Sequence, residues 1–289
     1  METKWRALDM FALVLVSLLA AVVLAGCRSE QPATTQTLPE ATTSGDSGDA
    51  APAELTGTSW MLESLGGGAD RVSANENVLT TLGFLAERYG GNSGCNFYVG
   101  VYEAENSSLT LESPARTGGT CEDSPESLTQ ESVFMSALAT VASFALNGQR
   151  LEMFSSSDQL MLTMAPMEPV PLDGTLWKLQ FVNVETQWNA ILPDTDITLR
   201  IEGGQLSGSA GCNEYSANVS EAAGALTVSE LAVTEKACTE PAGVMEQETL
   251  YLSLLADVAL VRQFPVSLQL LDVDGAPLLL YEAQDGQGQ

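Results

Sequence analysis

The 289-residue chain contains no histidine. That absence excludes Ser-His-Asp and Cys-His nucleophile pairs, imidazole general bases and every His-containing metal site. Positive charge is scarce as well. The chain has 11 Lys and Arg against 38 Asp and Glu, a formal net charge of −27. The field of such a protein repels phosphate backbones, so nucleic acid is excluded as a partner, and the acidity serves first of all as a solubility device. Large aliphatics and aromatics nearly vanish between Arg28 and Ala53, "RSEQPATTQTLPEATTSGDSGDAAPA". A stretch of that composition cannot bury enough surface to offset its ordering entropy, and residues 27–53 are predicted to form a flexible tether.

Ahead of the tether, Lys4 and Arg6 precede the uncharged run "MFALVLVSLLAAVVLAG". The run is shorter than the roughly 20 residues that a spanning helix needs, and it reads as a secretory signal peptide over residues 1–26. Its ending, Leu24-Ala25-Gly26-Cys27, resembles a bacterial lipobox. The expected consequence is cleavage before Cys27, lipidation of its thiol, and a membrane as partner through the lipid.

The remainder, in a chain that is 45% hydrophobic, is long enough for two cores. It is built as a repeat: Cys95 and Cys212 lie 117 positions apart, as do Cys121 and Cys238. Without a gap the same offset carries Gly57-Thr58 onto Gly174-Thr175, Trp60 onto Trp177, Asn96 onto Asn213, Tyr98 onto Tyr215, Glu131 onto Glu248 and Leu151 onto Leu268. Each copy is too long for a solenoid repeat and should be a domain with its own core. The pattern is mostly period-two strand, broken by one segment in which Phe134, Leu138 and Val141, like Tyr251, Leu255 and Val258, fall on one helical face. Ser124-Pro125 supplies an N-cap and N1 for the first helix, and Asp274-Gly275 marks the turn of a closing hairpin.

The motif residues admit more than one chemistry. Paired within copies, Cys95 with Cys121 and Cys212 with Cys238 would form disulfides suited to an exported protein; the same thiols could instead form a four-thiolate zinc site or a redox-active dithiol. Asn96 and Asn213 either bind a ligand or satisfy turn and backbone groups. Glu131 and Glu248 invite a general-acid reading, but each stands alone in its own copy, and a helix-surface or packing role is expected. "DVDG" at residues 272–275 lacks the further oxygen ligands of a calcium loop and reads as a turn.

Taken together, Gly-Thr-x-Trp opening a strand, "SGCNFY" and "AGCNEY", the later "TGGTC" and "TEKAC", a Glu-bearing helix and a closing apolar hairpin resemble the META domain, also called HslJ-like. In the first copy "LGFLAERYGGNSGCN" replaces the usual strand ahead of the motif. The resemblance implies an α+β, mainly antiparallel fold. Each domain would be a curved sheet or partly closed barrel with one packed helix, over residues 54–165 and 171–283, joined by a linker at 166–170 and followed by a polar tail at 284–289. The family motif falls on Trp60, Gly94, Asn96, Tyr98 and Glu131, and on Trp177, Gly211, Asn213, Tyr215 and Glu248. No catalytic residue, metal or cofactor is implied.

The expected function is a lipid-anchored, extracytoplasmic, non-catalytic binding or structural module in envelope maintenance or stress tolerance, whose partner is an envelope protein or small ligand. Two rival readings use the same residues. One is a thiol-disulfide exchanger, the other an acidic protein that sequesters a basic partner or cation.

Overall fold

In the computed structural model the described residues are 55–121 and 124–284. The signal segment, Cys27, the tether and residues 285–289 lie outside them. The first copy runs β1 (Ser59–Leu65), β2 (Val72–Ser73), β3 (Thr81–Phe84), β4 (Arg88–Asn92), β5 (Phe97–Glu105), β6 (Ser108–Leu111), β7 (Ala115–Arg116), α1 (Pro125–Leu138), β8 (Val141–Asn147), β9 (Arg150–Ser155) and β10 (Leu160–Pro166). The second runs β11 (Leu176–Val184), β12 (Gln187–Ala190), β13 (Thr198–Glu202), β14 (Gln205–Ser209), β15 (Glu214–Ala222), β16 (Ala225–Val233), α2 (Val244–Ala256), β17 (Leu260–Gln263), β18 (Ser267–Leu271) and β19 (Pro277–Ala283).

Every strand pairing is antiparallel, and each copy closes on itself because its first strand pairs with its last, β1 with β10 and β11 with β19. Closure leaves no unpaired sheet edge around the ring, so each copy is an eight-stranded barrel rather than an open curved sheet. The ring is thinnest at one place. A single residue pair joins β6 to β8 (Ser108 with Ser143), and a single pair joins β16 to β17 (Ala225 with Leu260). In both copies this seam is where the chain leaves the sheet to make its helix.

The first strand of each barrel shows how the repeat encodes the shape. Trp60 and Leu62 point inward by simple alternation, and a β-bulge between Leu62 and Ser64 then shifts the phase so that Leu65 is buried too. In the second copy Trp177, Leu179 and Val182 repeat this, with the bulge between Leu179 and Phe181. Each barrel encloses its own apolar cluster, to which α1 adds Phe134 and Leu138 and α2 adds Tyr251 and Leu255. The helices end at Leu138 and Ala256, earlier than the apolar spacing predicts. Val141 opens β8 and Val258 lies beyond α2, because the apolar face carries on into the returning chain. Ser124 does cap α1, with Pro125 at N1, but its hydroxyl meets that of Ser127 instead of a backbone N–H.

The copies pack against each other. Phe264-Pro265, between β17 and β18, seats on β3 and β4, where a Cβ on Gly83 would lie 2.8 Å from Pro265 Cδ and one on Gly90 would lie 2.9 Å from the Phe264 ring. Gly83 and Gly90 therefore make the flat face on which the second copy docks. Asn92 Nδ2 donates to Glu282 Oε1 across this contact at 3.3 Å. The linker is tied down as well: Val170 N donates to Pro265 O at 3.0 Å, and Gln263 Nε2 donates to Val170 O.

Candidate functional site

The Gly-Cys-Asn turn is the same object in both copies. Gly94 and Gly211 hold φ of +112° and +109°, a region that disfavours side chains, and so turn the chain sharply ahead of the cysteine. Asn92 Oδ1 accepts from Gly94 N at 2.8 Å, and Ser209 Oγ accepts from Gly211 N at 3.2 Å, which fixes the turn. Disulfides join Cys95 to Cys121 and Cys212 to Cys238, each closing a 26-residue separation. The thiols that a zinc site would need are thereby consumed.

After the cysteine, Asn213 is 2% exposed and uses its whole amide. Its Oδ1 accepts from Thr234 Oγ1 and Lys236 N, both at 2.7 Å, while Nδ2 donates to Lys236 O at 3.0 Å and to Glu248 Oε1 at 2.8 Å. Asn96 repeats the set with Thr117 Oγ1 (2.9 Å), Gly119 N (2.7 Å), Gly119 O (3.3 Å) and Glu131 Oε1 (3.0 Å). The spacing Thr-x-x-x-Cys now has a physical meaning. The threonine and the backbone two residues later clasp the asparagine, and the cysteine two residues further on locks the clasp covalently.

Glu131 and Glu248 are not surface groups of their helices. They are 6% and 5% exposed, and each carboxylate points from its helix into the Gly-Cys-Asn turn. Glu131 Oε2 accepts from Asn96 N at 2.8 Å and from Ser93 Oγ; Glu248 Oε2 accepts from Asn213 N at 2.7 Å and Cys212 N at 3.2 Å. A buried carboxylate is tolerable only when its lone pairs are filled, and these backbone and amide donors fill them. Arg116 lies 3.4 Å from Glu131 Oε1, whereas the matching position in the second copy is Val233. The contact spans 35 residues and recurs at that spacing in both copies. That shared spacing is the signal from which the pairing could have been read.

The remaining motif residues serve the core. Trp177 is fully buried, Trp60 nearly so, and their indole N–H groups donate to Leu172 O and Thr58 Oγ1. Tyr98 and Tyr215 donate to Thr81 O and Thr198 O, both at 2.8 Å, and burial pushes both phenols well above their ordinary pKa, which keeps them protonated donors. In the second copy this grows into a chain. Tyr281 donates to Tyr251 at 3.1 Å, Tyr251 and Tyr215 share a 2.6 Å bond, and Tyr215 delivers the last proton to Thr198 O. The "DVDG" segment is a turn held by Asp272 Oδ1, which accepts from Asp274 N and Ala276 N, both at 2.9 Å.

This motif, twice, on two closed barrels with one helix each, can be set against known proteins. The family model of the META domain matches residues 53–168 and 170–285. The chain is a tandem member of the META domain family. Two solved structures resemble parts of this META protein. One is titled as an NMR structure of a protein from Burkholderia xenovorans, with 26% identity over 39% of this chain and 84% of that one, and a TM-score of 0.34. The other, titled only as the NMR structure of a protein, has 22% identity over 38% of this chain and 90% of that one, and a TM-score of 0.31. No curated protein matches the chain. In this META protein the repeated motif residues are fastened to one another: Asn and Glu join helix to turn, Thr and Cys join turn to strand, and Trp and Tyr fill the barrel.

Proposed function

We propose that this tandem META protein is a lipid-anchored, extracytoplasmic module that binds or scaffolds without catalysis in envelope maintenance or stress tolerance. The observation that carries the reading is the inward commitment of the motif. The Asn96 and Asn213 amides and the Glu131 and Glu248 carboxylates spend their hydrogen bonds on turn, strand and helix. A nucleophile or general acid needs a group free to meet substrate. Disulfides at the same place in both copies favour an oxidising compartment, in line with the signal and lipobox reading of residues 1–27.

Mass spectrometry of the mature N-terminus, with membrane fractionation and crosslinking in intact cells, tests the proposal. The expected result is a lipidated Cys27 at the N-terminus and a captured envelope component. A mature protein with Met1 retained and no membrane association refutes the anchoring. Multiple-turnover disulfide reduction, lost in Cys121→Ser and Cys238→Ser variants that stay folded, would replace the module with an exchange enzyme.

A further inference from the structure

Between the two barrels lies a cleft of about 150 Å³ whose wall includes Arg88 and Arg116 from the first copy and Arg262, Trp188 and Gln269 from the second. In a chain with 38 acidic and 11 basic residues, three arginines on one small cleft run against composition. Arg116 is engaged by Glu131. Arg88 and Arg262 have no carboxylate within 4 Å among the described residues. On their far side they border an open groove that also holds Glu87 and Glu221, neither of which reaches ion-pair distance.

Of the two arginines, Arg262 is partly buried and Arg88 is exposed. Burial pulls Arg262 below its ordinary pKa, and the nearby Arg88 charge adds to this. Arg262 Nη1 is steadied by Gln269 Oε1 at 3.1 Å. Gln269 is itself only 5% exposed. One guanidinium from each copy thus lines the same cavity, Arg262 steadied only by a neutral amide, and an anion would compensate both charges.

The repeat shows that this is a product of the pairing and not of the domain. Arg88, Arg116 and Phe97 correspond in the second copy to Gln205, Val233 and Glu214. Arg262, Trp188 and Gln269 correspond in the first to Ala145, Arg71 and Glu152. Each copy supplies a different half, and at two positions an acidic residue of one copy is neutral at the cleft of the other.

We propose that the cleft between the barrels binds a small oxyanion, a carboxylate or phosphate on a compact apolar or aromatic body, with Arg88 and Arg262 holding the anion and Phe97, Trp188 and Pro277 walling its apolar part. The volume suits a single ring and lies below that of ordinary drug-sized sites. The overall negative charge does not forbid this, because at physiological salt charges beyond about 8 Å are screened while the paired guanidinium groups are adjacent to the ligand. The inference deepens the binding half of the proposed function and is independent of anchoring and compartment.

The test is calorimetric titration of the purified full chain with phenyl phosphate, benzoate, inorganic phosphate and, as neutral control, benzyl alcohol, with Trp188 fluorescence as second readout. Phenyl phosphate or benzoate should bind saturably and more tightly than inorganic phosphate, weaken as salt rises, and lose at least tenfold in affinity in Arg88→Gln and Arg262→Gln, with Arg200→Gln unchanged. Without anion, Arg88→Gln should unfold at a higher denaturant concentration than the wild type, since a repulsion is removed; this keeps a binding loss from being mistaken for misfolding. Failure of all three anions to bind, equal binding of benzyl alcohol, or unchanged binding in both folded arginine variants overturns the proposal. Such a failure leaves the module reading in place, whereas an unlipidated, unattached protein that still binds anions would do the reverse.

Discussion

Replacing Asn213 probes the clasp directly, because that side chain makes four hydrogen bonds from an almost fully buried position. In Asn213→Ala, Thr234 and Lys236 sit in an exposed stretch and recover water as partner, so their share of the loss is small. Glu248 Oε1, buried, loses its amide donor and cannot be resolvated. A hydrogen bond to a charged group contributes roughly 1.5–3 kcal/mol, and a lost neutral partner about 1 kcal/mol more, so the expected destabilisation is about 2.5–4 kcal/mol. Urea unfolding should show the midpoint falling with the slope unchanged.

Asn213→Asp separates hydrogen bonding from packing. It keeps the shape and places an oxygen where Nδ2 faces Glu248 Oε1 at 2.8 Å. Two carboxylates at that distance cannot both stay ionised, so the folded variant must take up a proton that the unfolded chain releases near the ordinary carboxylate range. Its folded-state pKa is raised, hence stability is present at low pH and lost as pH rises. The Asp variant should be less stable than the Ala variant at pH 7 and should approach or exceed it near pH 4. A cost below about 0.5 kcal/mol for Asn213→Ala, or a pH-independent gap between the two variants, would refute the clasp as the device that holds α2 to its barrel.

Three further outcomes are expected. Glu282, at the contact between the copies, has its pKa raised by burial, with the Asn92 amide pulling the other way; the folded state therefore holds the proton longer, and stability falls as pH rises through that range. Glu282→Gln should unfold later than the wild type at pH 7, and the advantage should shrink to nothing as pH drops below the ordinary carboxylate range, read from urea midpoints across pH. Tyr251→Phe strips Tyr281 of its acceptor inside the second barrel and should cost about 1–3 kcal/mol in the same assay. Thr163 buries a hydroxyl that has no partner among the described residues, at a position where the second copy carries Leu280, so Thr163→Val should gain about 1 kcal/mol; a loss of stability would show that the hydroxyl has a partner in solution.

What the sequence discloses and what it hides divide along the repeat. Features used identically by both copies are legible, because the 117-residue offset marks them twice: the opening Gly-Thr-x-Trp strand, the turn glycines, the cysteine pairs and the single helix. The Asn–Glu contact belongs to the same class, and it escapes only because period and propensity arguments read neighbours along the chain, while this pair meets over 35 residues. Barrel closure is less legible still. Alternation gives strands and the resemblance gives a curved sheet or a partly closed barrel, but whether β1 finds β10 depends on accumulated twist and on the bulge, neither of which a strand pattern reports.

The cleft lies on the other side of the divide. Arg88, Arg262, Trp188, Phe97 and Gln269 have no counterpart of like chemistry in the other copy, so a search for repetition passes over them. They are brought to one cleft by the packing of the two copies, in which Phe264-Pro265 settles over Gly83 and Gly90 of the first barrel. Duplication frees one surface of each copy from the constraints that hold the motif fixed, and in a tandem protein the positions where the copies disagree in charge are where a property absent from the single domain can arise. Gly90→Ala tests this step. The added Cβ would lie 2.5 Å from Tyr98 O as well as against Phe264, so the second copy must lift or β4 must shift. Binding of phenyl phosphate should then fall together with protection of the Phe264 and Val266 amides in hydrogen exchange, while the Asn213 clasp stays protected. If anion binding survives with that protection gone, the cleft does not depend on the docking of the two copies.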